Sequence, residues 1–410
     1  MSTRRLYYDD AMLQEFVAQV LSCEPIAGRE AAADTHPTWA AILDQTAFYP
    51  TSGGQPNDTG SLGEARLLDV LDEGDRIVHI VDQPLPLGSV SASIDWQRRF
   101  DHMQQHTGQH LLSAILQTRF SLPTVSFHVG TSVSTIDLRG KEPTVEVLEG
   151  AQHAVNQVIF EDRPVTIRYG TADELAKIGV RKQVERQGTL RAVEIEGIDL
   201  QPCGGTHIGA TGQIGLLLIR RCTKIRQDWR LEFVCGGRAE QAARTDRNRM
   251  SAAAGLLKCA DEDVVKSVER TLAERDAQFR SLRSASERLA EAEARLVLQE
   301  TEVPSEGGLR IVARVLEGVE PVYLAKFATR LAQGVGVVAL LVRKECGHVV
   351  FAQHPSAGKD MNAVLKTVLE RLGGKGGGTR DFARGALSRL EDAQSAVELA
   401  KSLLQAERSD

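Results

Sequence analysis

The sequence predicts an α+β protein of several domains: a small N-terminal β-barrel, an α+β core, a helical arm and a C-terminal α/β domain. Three observations carry this prediction. The first ninety residues hold short alternating stretches between turn-rich segments. The middle of the chain carries two closely spaced pairs of histidine or cysteine, one at helical spacing and one in a glycine-rich turn. Residues 239–300 are dominated by Ala, Glu, Arg and Leu, with no glycine after Gly255, before mixed patterning returns.

In order along the chain, alternation over 38–43, 64–70 and 76–81, punctuated by TSGGQPNDTG and DEGD, gives the barrel over 1–90. The core, 91–240, opens with a helix that Asp101 is positioned to cap. It continues through the strand-like FHVGTSVSTIDL, a helix over 146–160, and strands flanking the turn PCGGTHIG. The arm, 241–300, reads as long exposed helices or a coiled-coil hairpin, either a spacer or a dimer contact. The last domain, 301–410, follows VPSEGG. It contains a strand pair, VVALLV and HVVFAQ, and an amphipathic helix over Met361–Leu372 that runs into GGKGGG. No period of twenty to fifty residues recurs, which argues against a solenoid or propeller.

At 410 residues the chain exceeds a single hydrophobic core, and its 42% hydrophobic and 25% charged residues describe an ordinary globular protein. A net charge of -6 names no partner. The local basic run Arg220–Arg226 serves equally as a solvated strand face or as an RNA contact. Six scattered cysteines form no disulfide framework, and no signal peptide or apolar run long enough to cross a bilayer is present, so we expect a cytoplasmic protein with no membrane role.

The chemistry concentrates in the two pairs. His106 and His110 in HMQQHTGQH stack on one helix face, and Cys203 and His207 lie in a turn that Gly204 and Gly205 allow to curl. Three imidazoles and one thiolate make a tetrahedral donor set suited to zinc, one ion per chain. Four protein ligands also suit a closed structural site, and the count leaves the choice open. His102, one turn earlier, is placed outside the ligand set. The loop 44–56 mixes hydroxyls, aromatics and Gly53-Gly54, so its backbone can approach a ligand, although a plain hairpin turn looks the same. Asp199 lies near the turn, equally suited to orienting His207 and to capping a loop, and the catalytic residue stays unknown. GGKGGG lacks the strand-loop-helix order and GK[ST] ending of a nucleotide loop. It reads as a flexible linker, and no ATP site is expected.

The order TAFYPTSGGQP, FDHMQQHTGQHLLSA, DLQPCGGTH and LEFVCGGRA strongly resembles the alanyl-tRNA editing proteins of the AlaX type, which share an editing domain with alanyl-tRNA synthetase. The GGKGGG region resembles the DHH-associated domain of their longer members, so the likeness spans essentially the whole chain. It implies that 91–240 is a zinc-binding editing domain whose ligands are His106, His110, Cys203 and His207, and that 301–410 recognises tRNA, with Lys375 and Arg380 as RNA contacts. It implies a free-standing hydrolase that removes serine, and secondarily glycine, from mischarged tRNA(Ala). Thr46 would pair with the serine hydroxyl, and Gly53 and Gly54 would line the substrate. Ser52 stands where many relatives carry a third glycine. A pocket selected for alanine rejects serine or glycine by only about 1–3 kcal/mol, which makes a second, hydrolytic site useful. Helical-arm or C-terminal surfaces would serve a homodimer. Two rival readings are a noncatalytic tRNA-binding protein with structural zinc and a small-molecule metallo-esterase; tRNA(Thr) is the less favoured substrate.

Overall fold

Alternation builds the barrel. In the computed structural model, which describes residues 2–26, 37–181, 188–301 and 308–406, six antiparallel strands close on themselves. Their order is Glu15–Pro25, Trp39–Leu43, Ile77–Val81, Ala65–Asp72, Gly60–Leu62 and Gly88–Ile94. Phe16, Ala18 and Val20 alternate inward along the first strand, with Phe16 opposite Ala92 and Ala18 opposite Val90 on the last. Three of these strands fall where the alternation predicts them. Glu15–Pro25, Gly60–Leu62 and Gly88–Ile94 complete the closure and were not anticipated.

The chain divides into two compact units, Met1–Ala252 and Ala253–Asp410. In the first, the barrel leads directly into α1, Trp96–Phe120. The cap is Asp95, whose side chain accepts from the Arg98 amide. Asp101, expected in that role, sits one turn inside the helix and binds Arg238. Met103, Leu111, Leu112, Ile115 and Leu116 give α1 an apolar stripe that packs with Val155, Val158 and Ile159 of α2, Val145–Phe160. FHVGTSVSTIDL is a hairpin rather than one strand: Thr124–Val129 pairs with Ser134–Leu138. These strands join Asp228–Cys235 and Leu217–Ile225 in a four-stranded antiparallel sheet that supplies Ile136, Leu231 and Phe233 to the same core. A three-stranded sheet, Val165–Gly170, Leu190–Ile195 and Asp199–Pro202, ends one residue before Cys203; α3, Ala172–Lys177, follows its first strand.

The division between the units falls within α4, Gly236–Leu257, and the second unit takes in the end of that helix and α5, Val264–Glu300. Its five-stranded sheet runs Arg310–Leu316, Val337–Arg343, His348–Gln353, Phe382–Leu387, Gly374–Gly378, with only the first pair parallel. Alternate residues of Val337–Arg343 face opposite helical layers. Val338, Leu340 and Val342 pack with α7, Met361–Leu372, and α8, Ala393–Ala406. Val337, Ala339 and Leu341 pack with α6, Pro321–Leu331, and with Ala290, Ala294 and Val297 of α5. GGKGGG therefore is no linker: Gly374–Gly378 is the edge strand of this sheet. Among the described residues no helix is long and apolar enough to cross a membrane.

Candidate metal centre

Four side chains converge where α1 meets the turn after Asp199–Pro202. The ligand atoms of His106, His110, Cys203 and His207 all lie within 4.8 Å of one another. Helical spacing supplies the first two. The turn supplies the others, and its closeness to α1 depends on Gly205: a Cβ there would meet His106 Cε1 at 2.2 Å.

The neighbours of His106 set its tautomer. The Thr206 amide can only donate, and it points at Gln55 Oε1 at 3.2 Å, while Gln55 Nε2 donates to Thr206 Oγ1 at 2.8 Å. Gln55 Oε1 therefore accepts from His106 Nδ1 at 2.7 Å, leaving His106 Nε2, 3.4 Å from Cys203 Sγ, with its lone pair. His207 Nδ1 lies 3.1 Å from Thr107 Oγ1, and its Nε2 is 3.3 Å from the same sulfur. His110 Nδ1 faces Asp199 Oδ2 at 3.5 Å, and Asp199 is in turn gripped by Arg181 Nε and Nη2 at 2.7 and 3.2 Å. Asp199 thus stands beside His110 and not beside His207. Gln55, Thr107 and Arg181 were not singled out from the sequence, although Gln55 stands in the quoted TSGGQP motif and Thr107 directly follows His106.

Burial alone would raise the Cys203 thiol, but His106 and His207 outweigh it and hold it well below the ordinary thiol range. Asp199 is likewise held below the usual carboxylate range, burial being overcome by His110 and Arg181. A thiolate and three imidazoles that each turn Nε2 inward are the donor set of a tetrahedral divalent site. The residues present therefore fit a metal ion. His102 is buried one turn away, outside this group, and burial together with Arg98 and Arg238 lowers it to about 3.

A cavity of about 340 Å³ opens on the group, lined by His106, His110 and Cys203 with Tyr49, Ser52, Gly53, Gln109, Phe127, Gln201, Gly204 and Gly205 among others. Gly53 thus reaches the cavity. Gly54 is committed to the adjacent hairpin, its carbonyl accepting from Val129 N at 2.8 Å. Thr46 is not brought to the cavity. It is wholly buried, and its hydroxyl already meets His79 Nε2 at 2.9 Å and accepts from Phe48 N at 3.1 Å. Its hydroxyl is turned into the barrel interior beside His79, which shares the inward face of its strand with Ile77 and Val81. Lys375 and Arg380 belong to the second unit. Lys375 is exposed on the edge strand, and Arg380 donates to the carbonyls of Gly358 and Lys359.

The family described as "Threonyl and Alanyl tRNA synthetase second additional domain" matches residues 190–230, the stretch holding Cys203 and His207, and the "DHHA1 domain" family matches 308–406. Fold and site thus define a class: a synthetase-type additional domain with a four-residue metal-capable group, joined to a DHHA1 domain. The chain is 29% identical over 392 residues to the alanyl-tRNA editing protein AlaX-L of Pyrococcus horikoshii, covering 93% of this chain and 94% of that one. It is 33% identical to the alanyl-tRNA editing protein Aarsd1 of Mus musculus, covering 64% and 66%. It is 31% identical to the alanine–tRNA ligase of Pyrococcus abyssi, where it covers 98% of this chain but only 44% of the ligase. The chain belongs to the alanyl-tRNA editing proteins of the long AlaX form.

Proposed function

We propose that this chain is a zinc-dependent trans-editing hydrolase that deacylates mischarged tRNA(Ala), chiefly Ser-tRNA(Ala) and secondarily Gly-tRNA(Ala). The observation that carries the reading is the convergence of His106, His110, Cys203 and His207, the first three of which line a small cavity, in a chain that aligns with nearly the full length of an alanyl-tRNA editing protein. His106, His110 and His207 would hold zinc through nitrogen and Cys203 through sulfur. Bound there, the ion supplies a Lewis acid beside the ester carbonyl.

The chain's own residues bind and orient. No carboxylate lines the cavity among the described residues, and Asp199 is engaged by His110 and Arg181, so we assign no side-chain carboxylate as general base. The amides of Gly53 and Gly204, which make no hydrogen bond among the described residues, are the backbone donors we assign to a developing oxyanion. With Thr46 occupied elsewhere, Gln201 is our assignment for the serine hydroxyl: it lines the cavity, and its Oε1 has no hydrogen-bond partner among the described residues.

Lys375 and Arg380 are assigned to tRNA backbone contact. For a homodimer, the support is a heptad series on α5: Val265, Leu272 and Phe279 interleave with Val268, Leu282, Leu289 and Leu296, all exposed. The test is deacylation of Ser-, Gly- and Ala-tRNA(Ala) by the zinc-loaded protein beside His106→Ala and Cys203→Ala variants with verified folding. Release of serine or glycine, abolished in both variants, is expected. Tight tRNA binding without release would favour a structural zinc.

A further inference from the structure

We propose that the buried Asp58–Arg99 ion pair is a positioning device for the metal group, holding the 47–58 loop in register with α1 so that Gln55 meets His106. Both side chains are wholly excluded from solvent. Arg99 lies seven residues before His106, two helical turns away on the same face of α1. Its Nε stands 3.0 Å from each Asp58 carboxylate oxygen, its Nη1 donates to Ala11 O at 2.9 Å, and its Nη2 reaches both Asp58 Oδ2 and Ala47 O.

Asp58 closes the loop on itself: Oδ2 accepts from Tyr49 N at 2.6 Å, and its own amide donates to Tyr49 O at 3.0 Å. The loop is therefore gripped at its first and last residues. Between these, reciprocal backbone bonds of 3.0 and 2.9 Å join Ser52 and Gln55, placing Gln55 at a fixed point of a fixed loop.

None of these bonds reaches a metal-group residue, so the pair acts through geometry alone. An apolar pair could fill the same space without desolvating two charges. What it could not do is present planar, directional donors at once to both ends of the loop, Ala47 and Asp58, and to Ala11, as one guanidinium does here. That directionality is the property a register requires.

The experiment titrates the full chain with Co2+, reading affinity by competition and ligand geometry by visible absorption. Gln55→Ala and the double variant Asp58→Leu/Arg99→Met should each weaken Co2+ binding by about 10- to 100-fold, as loss of an orienting hydrogen bond does elsewhere. Combining all three substitutions should add little to Gln55→Ala alone, since both act through one bond to His106. Asn156→Ala removes buried bonds to Leu217, apart from the group, and should leave affinity unchanged.

A folded double variant with native Co2+ affinity overturns the proposal, as does full additivity with Gln55→Ala. If the double variant does not fold, hydrogen exchange of the wild type decides. Co2+ loading should slow exchange at Tyr49 and Asp58, and unchanged exchange overturns the proposal. The inference rests on the metal reading: a wild-type chain that binds no Co2+ overturns both, whereas normal wild-type binding with an unaffected double variant overturns the register alone.

Discussion

The turn at 203–207 and the run at 373–378 look alike in sequence, yet their missing side chains make room for different things. At Gly205 the space is filled by the imidazole of a metal-capable residue. At Gly376 it is filled by backbone: a Cβ there would come within 2.6 Å of Gly385 Cα on the neighbouring strand. One glycine lets a helix approach a turn and builds chemistry; the other lets two strands lie close and builds a sheet edge. Composition does not separate these cases. What lies across from the absent Cβ does.

The sharpest attempt to break this contrast is Gly205→Ala. It should displace His106 and weaken Co2+ affinity by more than about a hundredfold, a larger effect than loss of an orienting partner. Native affinity in that variant would remove the basis of the comparison.

Next in size is an acid response confined to the first unit. Burial lowers His79 to about 4 from its ordinary value of 6.5. The unfolded chain therefore holds more protons than the fold between those values. The contribution of His79 to stability is complete above pH 6.5 and falls as pH drops through the window to about 4, by roughly 3 kcal/mol. Denaturant unfolding at pH 7 and 4.5 should show this loss, and His79→Gln should reduce it without abolishing it, because His102, lowered to about 3 in the same unit, adds to the response. A transition equally acid-sensitive in His79→Gln would assign the response elsewhere.

Gly376→Ala should cost about 1–3 kcal/mol of overpacking in the second unit alone. Calorimetry should show its transition lowered with Co2+ affinity intact, and any loss of metal would contradict the separation. The smallest effect expected is that of Lys375→Ala, which should weaken tRNA binding a fewfold and reduce the slope of log affinity against log salt by about 0.7–0.9. An unchanged slope would leave the edge strand a purely structural element.

The four-residue group was legible because its members recur at short, regular intervals: His106 and His110 at helical spacing, and Cys203 and His207 around a glycine pair. The helix Met361–Leu372 was legible for the same reason, its period carrying through without interruption. What stayed hidden depends on distant pairing. Arg99 meets Asp58 across 41 residues and Gln55 meets Thr206 across 151, and neither pairing leaves a local pattern. Thr46 meets His79, 33 residues on, and a motif position does not reveal that pairing. The helix start slipped from Asp95 to Asp101 because two aspartates within one stretch both satisfy the cap pattern. GGKGGG read as a linker because a glycine strand has no side-chain alternation to betray it.

The barrel closes on itself, so it offers no unpaired strand to another molecule. The five-stranded sheet ends in Arg310–Leu316 and Gly374–Gly378, each with one side of its backbone unpaired within that sheet. The glycine strand has almost no side chains to keep a second strand away, and Lys375 is the one charge along it. Between barrel and five-stranded sheet, strand-to-strand aggregation during concentration or storage should therefore begin at the sheet, and a second lysine at Gly377, where an added Cβ would meet only the Asn362 side chain at 3.6 Å, is the change that would suppress it there.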